Sequence, residues 1–373
     1  MIVLEEKSIV SIHKNNEYAI VAITKQGVNL ARHLQQKLKH ADLYYMNKFE
    51  QGDEEVLGIQ LFSGSVRLLL PALFQNYKGM ILFVSLGAVV RMIAPLLKDK
   101  KTDPAVVVID DLGINVISVL SGHLGGANEL TQEIAQILNA RPVITTASDV
   151  QKTIPVDLFG RQFGWVWESE EKITSVSASV VNDEKVAIIQ ESGEKNWWNY
   201  PSALPSNITI YPSIKEALED EPKAALVVTH RILSKEEEKI LANGVLYRPR
   251  VIVLGMGCNR GASANEIEQV IKETLVELKL SIKSVHALCT IDIKKDEKGF
   301  HETVNKFGWE FVVYSPEQLN CVEICEPSDN VFKYTGAFGV SEPAAILYSG
   351  NSELMLTKKK SGNVTISVAI MNK

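Results

Sequence analysis

The chain has 373 residues, and at about 150 residues per domain this length predicts two or three domains rather than a single core. Hydrophobic residues make up 46% and charged residues 23%, with 23 Gly and 13 Pro, which excludes disordered, collagenous and repeat-dominated classes. The 39 Lys plus Arg against 45 Asp plus Glu leave a net charge of -6, so no broad basic field exists to gather phosphate backbones, and nucleic acid is not an expected partner.

The N-terminus reads Met-Ile-Val-Leu and reaches Glu5 and Glu6 at once, without the basic start and apolar stretch of a signal peptide. The longest apolar run, Met80 to Val90, is too short to span a bilayer and is followed by Arg91. Both features predict a cytoplasmic protein with no membrane partner. The four cysteines, Cys258, Cys289, Cys321 and Cys325, include no CxxC pair, and free thiols packed as small hydrophobes are the expectation. The Cys321/Cys325 pair lacks a second cluster to complete a metal site, so no protein metal site is expected.

Apolar strand-like runs alternate with helix-period segments along most of the chain, the pattern of βαβ units. YAIVAIT (18–24) precedes a helix with Leu30, Leu34 and Leu38 on one face. ADLYYM (41–46) precedes a helix through Val66, Leu69, Leu70 and Leu73. MILFVS (80–85) leads to a third unit around Val89, Ile93 and Leu97. AVVVID and INVISVL, joined through Asp111-Leu112-Gly113, predict a β-hairpin. A helix with Leu130, Ile134, Ile137 and Leu138 on its core face follows, and RPVITT returns to a strand.

Beyond Ala147 the pattern is weaker. It predicts a helix near Val156 to Phe163, a strand at VAIIQ, a Trp-rich and Pro-flanked stretch around Trp197 and Trp198, a strand from Leu226 to Thr229 and a solvated helix face at SKEEEK. A second strong α/β pattern starts at VIVLGMGCNRGAS. It runs through a helix with Ile267, Val270, Ile271 and Leu275, strands at SVHALCTID and EFVVY, and a helix at EPAAILYS. ELMLT and VTISVAI, separated by KKKSGN, predict a closing hairpin with a basic tip. The expected fold is thus α/β and multi-domain, with mostly parallel sheets flanked by helices and a C-terminal α/β domain ending in a hairpin. The expected domains are 1–145, 146–249 and 250–373.

Open α/β sheets collect ligands at the carboxyl ends of strands. LSGHLGGANEL leaves a strand and enters a helix through Gly122, His123, Gly125, Gly126 and Asn128, where backbone N–H groups can hold a carboxylate. The unperturbed pKa of histidine, about 6.5, suits a residue such as His123 to acid–base work, the blander alternative being the capping of a turn. LGMGCNRGASANEI offers Gly257, Arg260, Gly261 and Ser263, the last opening a capping box with Glu266. Its GxGxxxG spacing departs from the dinucleotide fingerprint, and Asp292 lies well beyond the roughly 20-residue spacing of that motif, so an anion-binding or structural turn is the better reading. Arg91 follows a strand end and helix start, Lys101 lies in a Lys-rich helix terminus, and Thr335 to Glu342 precede the last helix. There is no GxSxG, GxxxxGK[ST] or HExxH motif.

Taken in order, SLGAVVRMIAPLLKDKKTDPAVVVID, LSGHLGGANEL, PVITTASDV, LGMGCNRGASANEIEQVI and GVSEPAAILYSGNSELMLTKKKSGNVTISVA resemble the CbiG family of anaerobic cobalamin biosynthesis, the cobalt-precorrin-5A hydrolases. The resemblance covers the chain from about Gly79 to the C-terminus. It implies three domains and hydrolysis of the ring A δ-lactone of cobalt-precorrin-5A, with release of acetaldehyde to give cobalt-precorrin-5B. It also implies that the cobalt is part of the substrate, that the protein has no cofactor of its own, and that it makes transient contact with other pathway enzymes.

A carboxylate-fringed macrocycle calls for N–H groups at helix starts and a few cations, for which Arg91, Lys101 and Arg260 are candidates. His123 is the expected base, with Gly125 and Gly126 N–H groups as oxyanion donors, and Glu129 or Asp103 orienting the imidazole or replacing it. A non-catalytic tetrapyrrole-delivery protein and a nucleotide-dependent enzyme using the Gly255 to Gly261 loop are the rival readings.

Overall fold

A computed structural model describes residues 2–3, 12–198, 200–324 and 326–372. Cys325, half of the cysteine pair considered above, lies outside the described residues. The chain divides into two compact units after Lys152.

The first unit is built on an eight-stranded sheet. Its spatial order is Ile2–Val3, Gln60–Ser63, Ala41–Met46, Tyr18–Ala22, Gly79–Phe83, Ala105–Ile109, Asn115–Leu120 and Arg141–Val143. The first six strands are mutually parallel; the last two are parallel to each other and antiparallel to the rest. The central strands are apolar throughout because both faces are covered. Ile20, Ile81 and Val107 pack with Leu34 and Ile134 on one side, and Val21, Leu82 and Val106 with Leu69, Leu73 and Val89 on the other. The predicted 105–120 hairpin is present. The short strand Gln60–Ser63, with two of its residues polar, was not apparent from the sequence pattern.

A polar knot fastens the edge of this unit. Burial on its own would raise the Glu54 carboxyl, but hydrogen bonds from the Tyr45 hydroxyl (2.5 Å) and the Gln51 and Gly52 N–H groups (2.6 and 2.8 Å) outweigh it and bring the group down to about 2. A carboxyl lowered on folding adds stability above its unfolded value near 4.3 and loses it as pH falls toward the folded value. Glu54→Gln should therefore flatten the acid limb of a melting-temperature profile between about pH 4.5 and pH 2, with the wild type falling more steeply there.

The second unit contains two five-stranded sheets. The first has the order Ile208–Tyr211, Val186–Gln190, Ala224–Val228, Gly244–Arg248, Val166–Trp167, parallel except for the last strand. The expected helix from Val156 to Phe163 is instead a turn followed by a 3-10 segment, Arg161–Phe163, because Gly160 and Gly164 both adopt left-handed φ values that interrupt a helix. The actual helix, Ile173–Val181, is rich in Ser, Thr and Val, poor helix formers that hide it from propensity arguments. The SKEEEK run likewise feeds a 3-10 segment, Glu237–Asn243.

The other sheet has the order Glu310–Tyr314, Val285–Ile291, Ile252–Cys258, Val364–Ile370, Leu354–Ser361, three parallel strands followed by the C-terminal hairpin. The lysines expected at the hairpin tip belong to its edge strand, where repeated charge discourages pairing with another chain, and the turn is made at Gly362. Helix Ser341–Ser349 packs closely on this sheet, and the buried Ser367 and Ser341 hydroxyls meet at 3.0 Å. Cys258 and Cys289 are packed thiols, burial raising Cys258 to about 11. Cys321 departs from the expectation: it is exposed, its thiol donating to the Glu317 carbonyl. No helix among the described residues is long and apolar enough to cross a membrane.

Candidate active site

The loop 121–126 follows strand Asn115–Leu120. That strand runs against its six parallel neighbours, so the loop lies at the edge where those six begin. The strand-end rule therefore applies here only to the pair Asn115–Leu120 and Arg141–Val143. Ser121 takes a left-handed φ of 56°, uncommon for a residue with a side chain, and its hydroxyl donates to the Asp103 carbonyl at 2.9 Å. Gly125 is demanded by space: a Cβ there would stand 2.3 Å from the Ser121 Cβ. Gly122 is needed for the same reason against the Asn128 amide, 2.7 Å from its would-be Cβ.

These constraints deliver His123 to Asp149. The Nε2 atom lies 2.9 Å from the Asp149 carboxylate and 3.1 Å from the Ser148 hydroxyl. A carboxylate only accepts, so the proton of the neutral ring resides on Nε2 and the lone pair on Nδ1. Asp149 sits in the short helix Ala147–Gln151. The Asn128 amide donates to it at 3.0 Å and to the Thr146 hydroxyl at 2.9 Å, while Ser118 donates to the Asn128 carbonyl oxygen at 2.7 Å. The result is a chain from Ser118 through Asn128 and Asp149 to His123.

Several expected roles change. Asn128 is buried and its amide is engaged inside the protein, with Ser118, Thr146 and Asp149 as its partners. The imidazole's carboxylate partner is Asp149, not Asp103 or Glu129. Asp103 turns its carboxylate to the Lys98 N–H, and Glu129 lies exposed on the first helical turn. The Gly126 N–H donates to the His123 carbonyl at 2.9 Å and is not available to an oxyanion, whereas the Gly125 N–H has no acceptor among the described residues. Arg91 lies in the last turn of helix Leu86–Ile93 and folds back on the Gly87 carbonyl, and Lys101 is exposed in the loop before Asp103. Asp149 was visible in the sequence only as part of PVITTASDV. Nothing local marks it as the partner of a residue 26 positions earlier.

The second glycine segment is closed on itself. Gly257 belongs to strand Ile252–Cys258 and is paired with Thr365. The Gly261 N–H donates to the buried Glu297 carboxylate at 2.9 Å, and Lys294 pairs with the same residue. Arg260 is bound to Asp296 at 2.7 Å. An internal carboxylate thus occupies the anion-binding position. Ser263 caps helix Ala264–Glu277 as expected, but Glu266 turns to the Asn363 N–H instead of completing a capping box.

Removing the Asn128 amide leaves Asp149 and Ser118 short of partners in a partly buried setting. Asn128→Ala is expected to cost about 1–3 kcal/mol in a denaturant titration and to lower turnover through the displaced carboxylate.

Comparison with known proteins bears on this arrangement. Residues 69–149 match Cobalamin synthesis G N-terminal, 154–249 match Cobalamin biosynthesis central region, and 252–369 match Cobalamin synthesis G C-terminus. A Priestia megaterium protein named cobalt-precorrin-5A hydrolase is 68% identical over 371 residues, covering 100% of this chain and 99% of its own. The chain belongs to the cobalamin synthesis G (CbiG) family. A Salmonella typhimurium protein of the same name is 30% identical, covering 96% of this chain and 98% of its own. A Methanocaldococcus jannaschii protein, named a probable cobalt-precorrin-5A hydrolase, is 25% identical over 95% of this chain and 98% of its own. In this CbiG chain the Ser118, Gly122, His123, Gly125, Asn128 and Asp149 constellation falls entirely within the N-terminal match.

Proposed function

We propose that this protein hydrolyses cobalt-precorrin-5A, opening its ring A δ-lactone and releasing the two-carbon fragment as acetaldehyde to give cobalt-precorrin-5B. The observation that carries this reading is the 68% identity, over the whole chain, with the Priestia megaterium hydrolase. The cobalt enters as part of the substrate, the protein contributes no cofactor of its own, and the reaction runs in the cytoplasm.

The chemistry assigned to the loop is general-base hydrolysis. Asp149 accepts from Nε2 and so fixes the tautomer and angle of the His123 ring. Nδ1 takes a proton from water as its oxygen attacks the lactone carbonyl, and Gly125 N–H donates to the oxyanion. Collapse of the tetrahedral intermediate breaks the ring C–O bond, and the leaving alkoxide recovers the proton from the imidazolium. The hydroxyl then gives up its proton as the carbon–carbon bond to the macrocycle breaks: its oxygen becomes the carbonyl oxygen of acetaldehyde, the bonding electron pair passes into the macrocycle, and the macrocycle takes up a proton. Incubation with cobalt-precorrin-5A and trapping of acetaldehyde tests the reading; tight binding without any acetaldehyde would replace it with that of a delivery protein.

A further inference from the structure

The first sheet of the second unit changes direction between two adjacent strands. From Val186–Gln190 the chain moves to Ile208–Tyr211 on one side, and from Ala224–Val228 it moves to Gly244–Arg248 on the other. The carboxyl ends of Val186–Gln190 and Ala224–Val228 therefore flank a topological switch point, the place in an open α/β sheet where ligands collect. The residues that follow are Glu191, Ser192 and Gly193 from one strand and Thr229, His230 and Arg231 from the other.

Across that switch point the Ser192 hydroxyl meets His230 Nδ1 at 2.8 Å. Both residues are partly exposed. The two loops carrying them are held from several sides. The Gln190 side-chain amide donates to the backbone carbonyls of Ser192, Gly193 and Glu194 at 3.2, 3.0 and 2.9 Å, and the Trp197 indole N–H donates to Gln190 Oε1 at 2.8 Å. Gly193 holds a φ of 86° against Trp165 and Pro249, where a Cβ would stand 3.0 and 2.8 Å from them. On the opposite loop, Arg231 pairs with Glu191 and Glu237, Arg248 donates to the Thr229 carbonyl at 3.0 Å, and the His230 carbonyl accepts from Ser281 N–H at 2.8 Å.

The imidazole is suited to accept a proton. Burial lowers His230 below the ordinary histidine value; the Glu191 carboxylate pulls the other way, and the Arg231 and Arg248 guanidiniums add to the lowering. The N–H groups of Ser192, Gly193 and His230 have no acceptor among the described residues, which leaves donors beside the hydroxyl.

We propose that Ser192 and His230 form a nucleophile–base pair, an acyl-transfer centre for carboxylic esters and lactones that is separate from the His123 site. In the forward step the Ser192 oxygen bonds to the ester carbonyl carbon as its proton passes to His230 Nδ1. The ester C–O bond breaks, and the leaving alcohol takes that proton. Water then attacks the acyl-serine with the same imidazole as base, and the carboxylic acid departs as Ser192 is regenerated.

The test uses the full-length protein, a fluorophosphonate probe and p-nitrophenyl acetate. The expected result is one phosphonyl adduct mapped to Ser192 by peptide mass spectrometry. It should be absent in Ser192→Ala and slowed by about 10²-fold or more in His230→Gln. Ester hydrolysis should show the same ranking, and Ser192→Cys should keep a reactive side chain at the position if the alanine variant proves unstable. An unlabelled Ser192 in the folded wild type, or a His230→Gln rate within threefold of wild type, overturns the proposal. Because His123→Gln is read by acetaldehyde release and Ser192→Ala by the adduct, failure of one reading does not entail failure of the other.

Discussion

Glutamine at position 123 is expected to lower acetaldehyde release from cobalt-precorrin-5A by about 10²–10⁴-fold while leaving the melting temperature within a few degrees of wild type. The reason lies in what glutamine keeps and what it loses. Its amide can still donate toward Asp149, now reached by Nε2 of the ring at 2.9 Å, so the local fold is retained. It has no basic nitrogen to take the proton of the attacking water. Asp149→Asn should give a related loss, since an amide can present its donor to Nε2 and so favour the tautomer with the proton on Nδ1, the form that cannot act as base there. Steady-state kinetics on both variants, with thermal melts alongside, separate a chemical defect from a folding one. Wild-type turnover by either variant would remove this loop from the reaction.

The second large effect concerns stability. Gly255 lies in strand Ile252–Cys258 directly beneath helix Ser341–Ser349, and a Cβ there would stand 1.8 Å from the Ser341 carbonyl oxygen and 2.8 Å from the Ala345 nitrogen. Both are helix backbone atoms, so no side-chain rotation relieves the clash. The helix must lift from the sheet that buries Ala344 and Ala345. Gly255→Ala is expected to cost at least about 3 kcal/mol, the upper part of the range for overpacking, read as a fall in the denaturation midpoint. Gly308 supplies the contrast. It has a φ of 66° with nothing within 4 Å of its would-be Cβ, and Gly308→Ala should cost only about 1–2 kcal/mol of backbone strain.

Much of the fold was legible because burial on both faces writes a continuous apolar run into a strand. AVVVI and VAIIQ needed no context, and the 105–120 hairpin followed from its Asp-Leu-Gly connection. The elements that escaped were those whose stability comes from neighbours: Gln60–Ser63, half of it polar, and Ile173–Val181, whose residues disfavour a helix on their own. The glycine loops were located correctly, but their functions were not separable by composition. One carries a histidine to a carboxylate; the other closes over Glu297. A glycine spacing states that backbone approaches something closely, and only the folded chain states what.

The sequence by itself determined the α/β class, the glycine loop that bears His123 and the family resemblance, because periodicity and short-range strings are properties of the chain as written. The tertiary structure alone decided that the strand leading into that loop runs against its six parallel neighbours, that Asp149 rather than Asp103 or Glu129 holds the imidazole, and that Ser192 meets His230 across a strand switch. Each of these is a contact between residues 26 to 38 positions apart or a strand direction, fixed by which strands pair and how the loops between them close, and no local pattern encodes it.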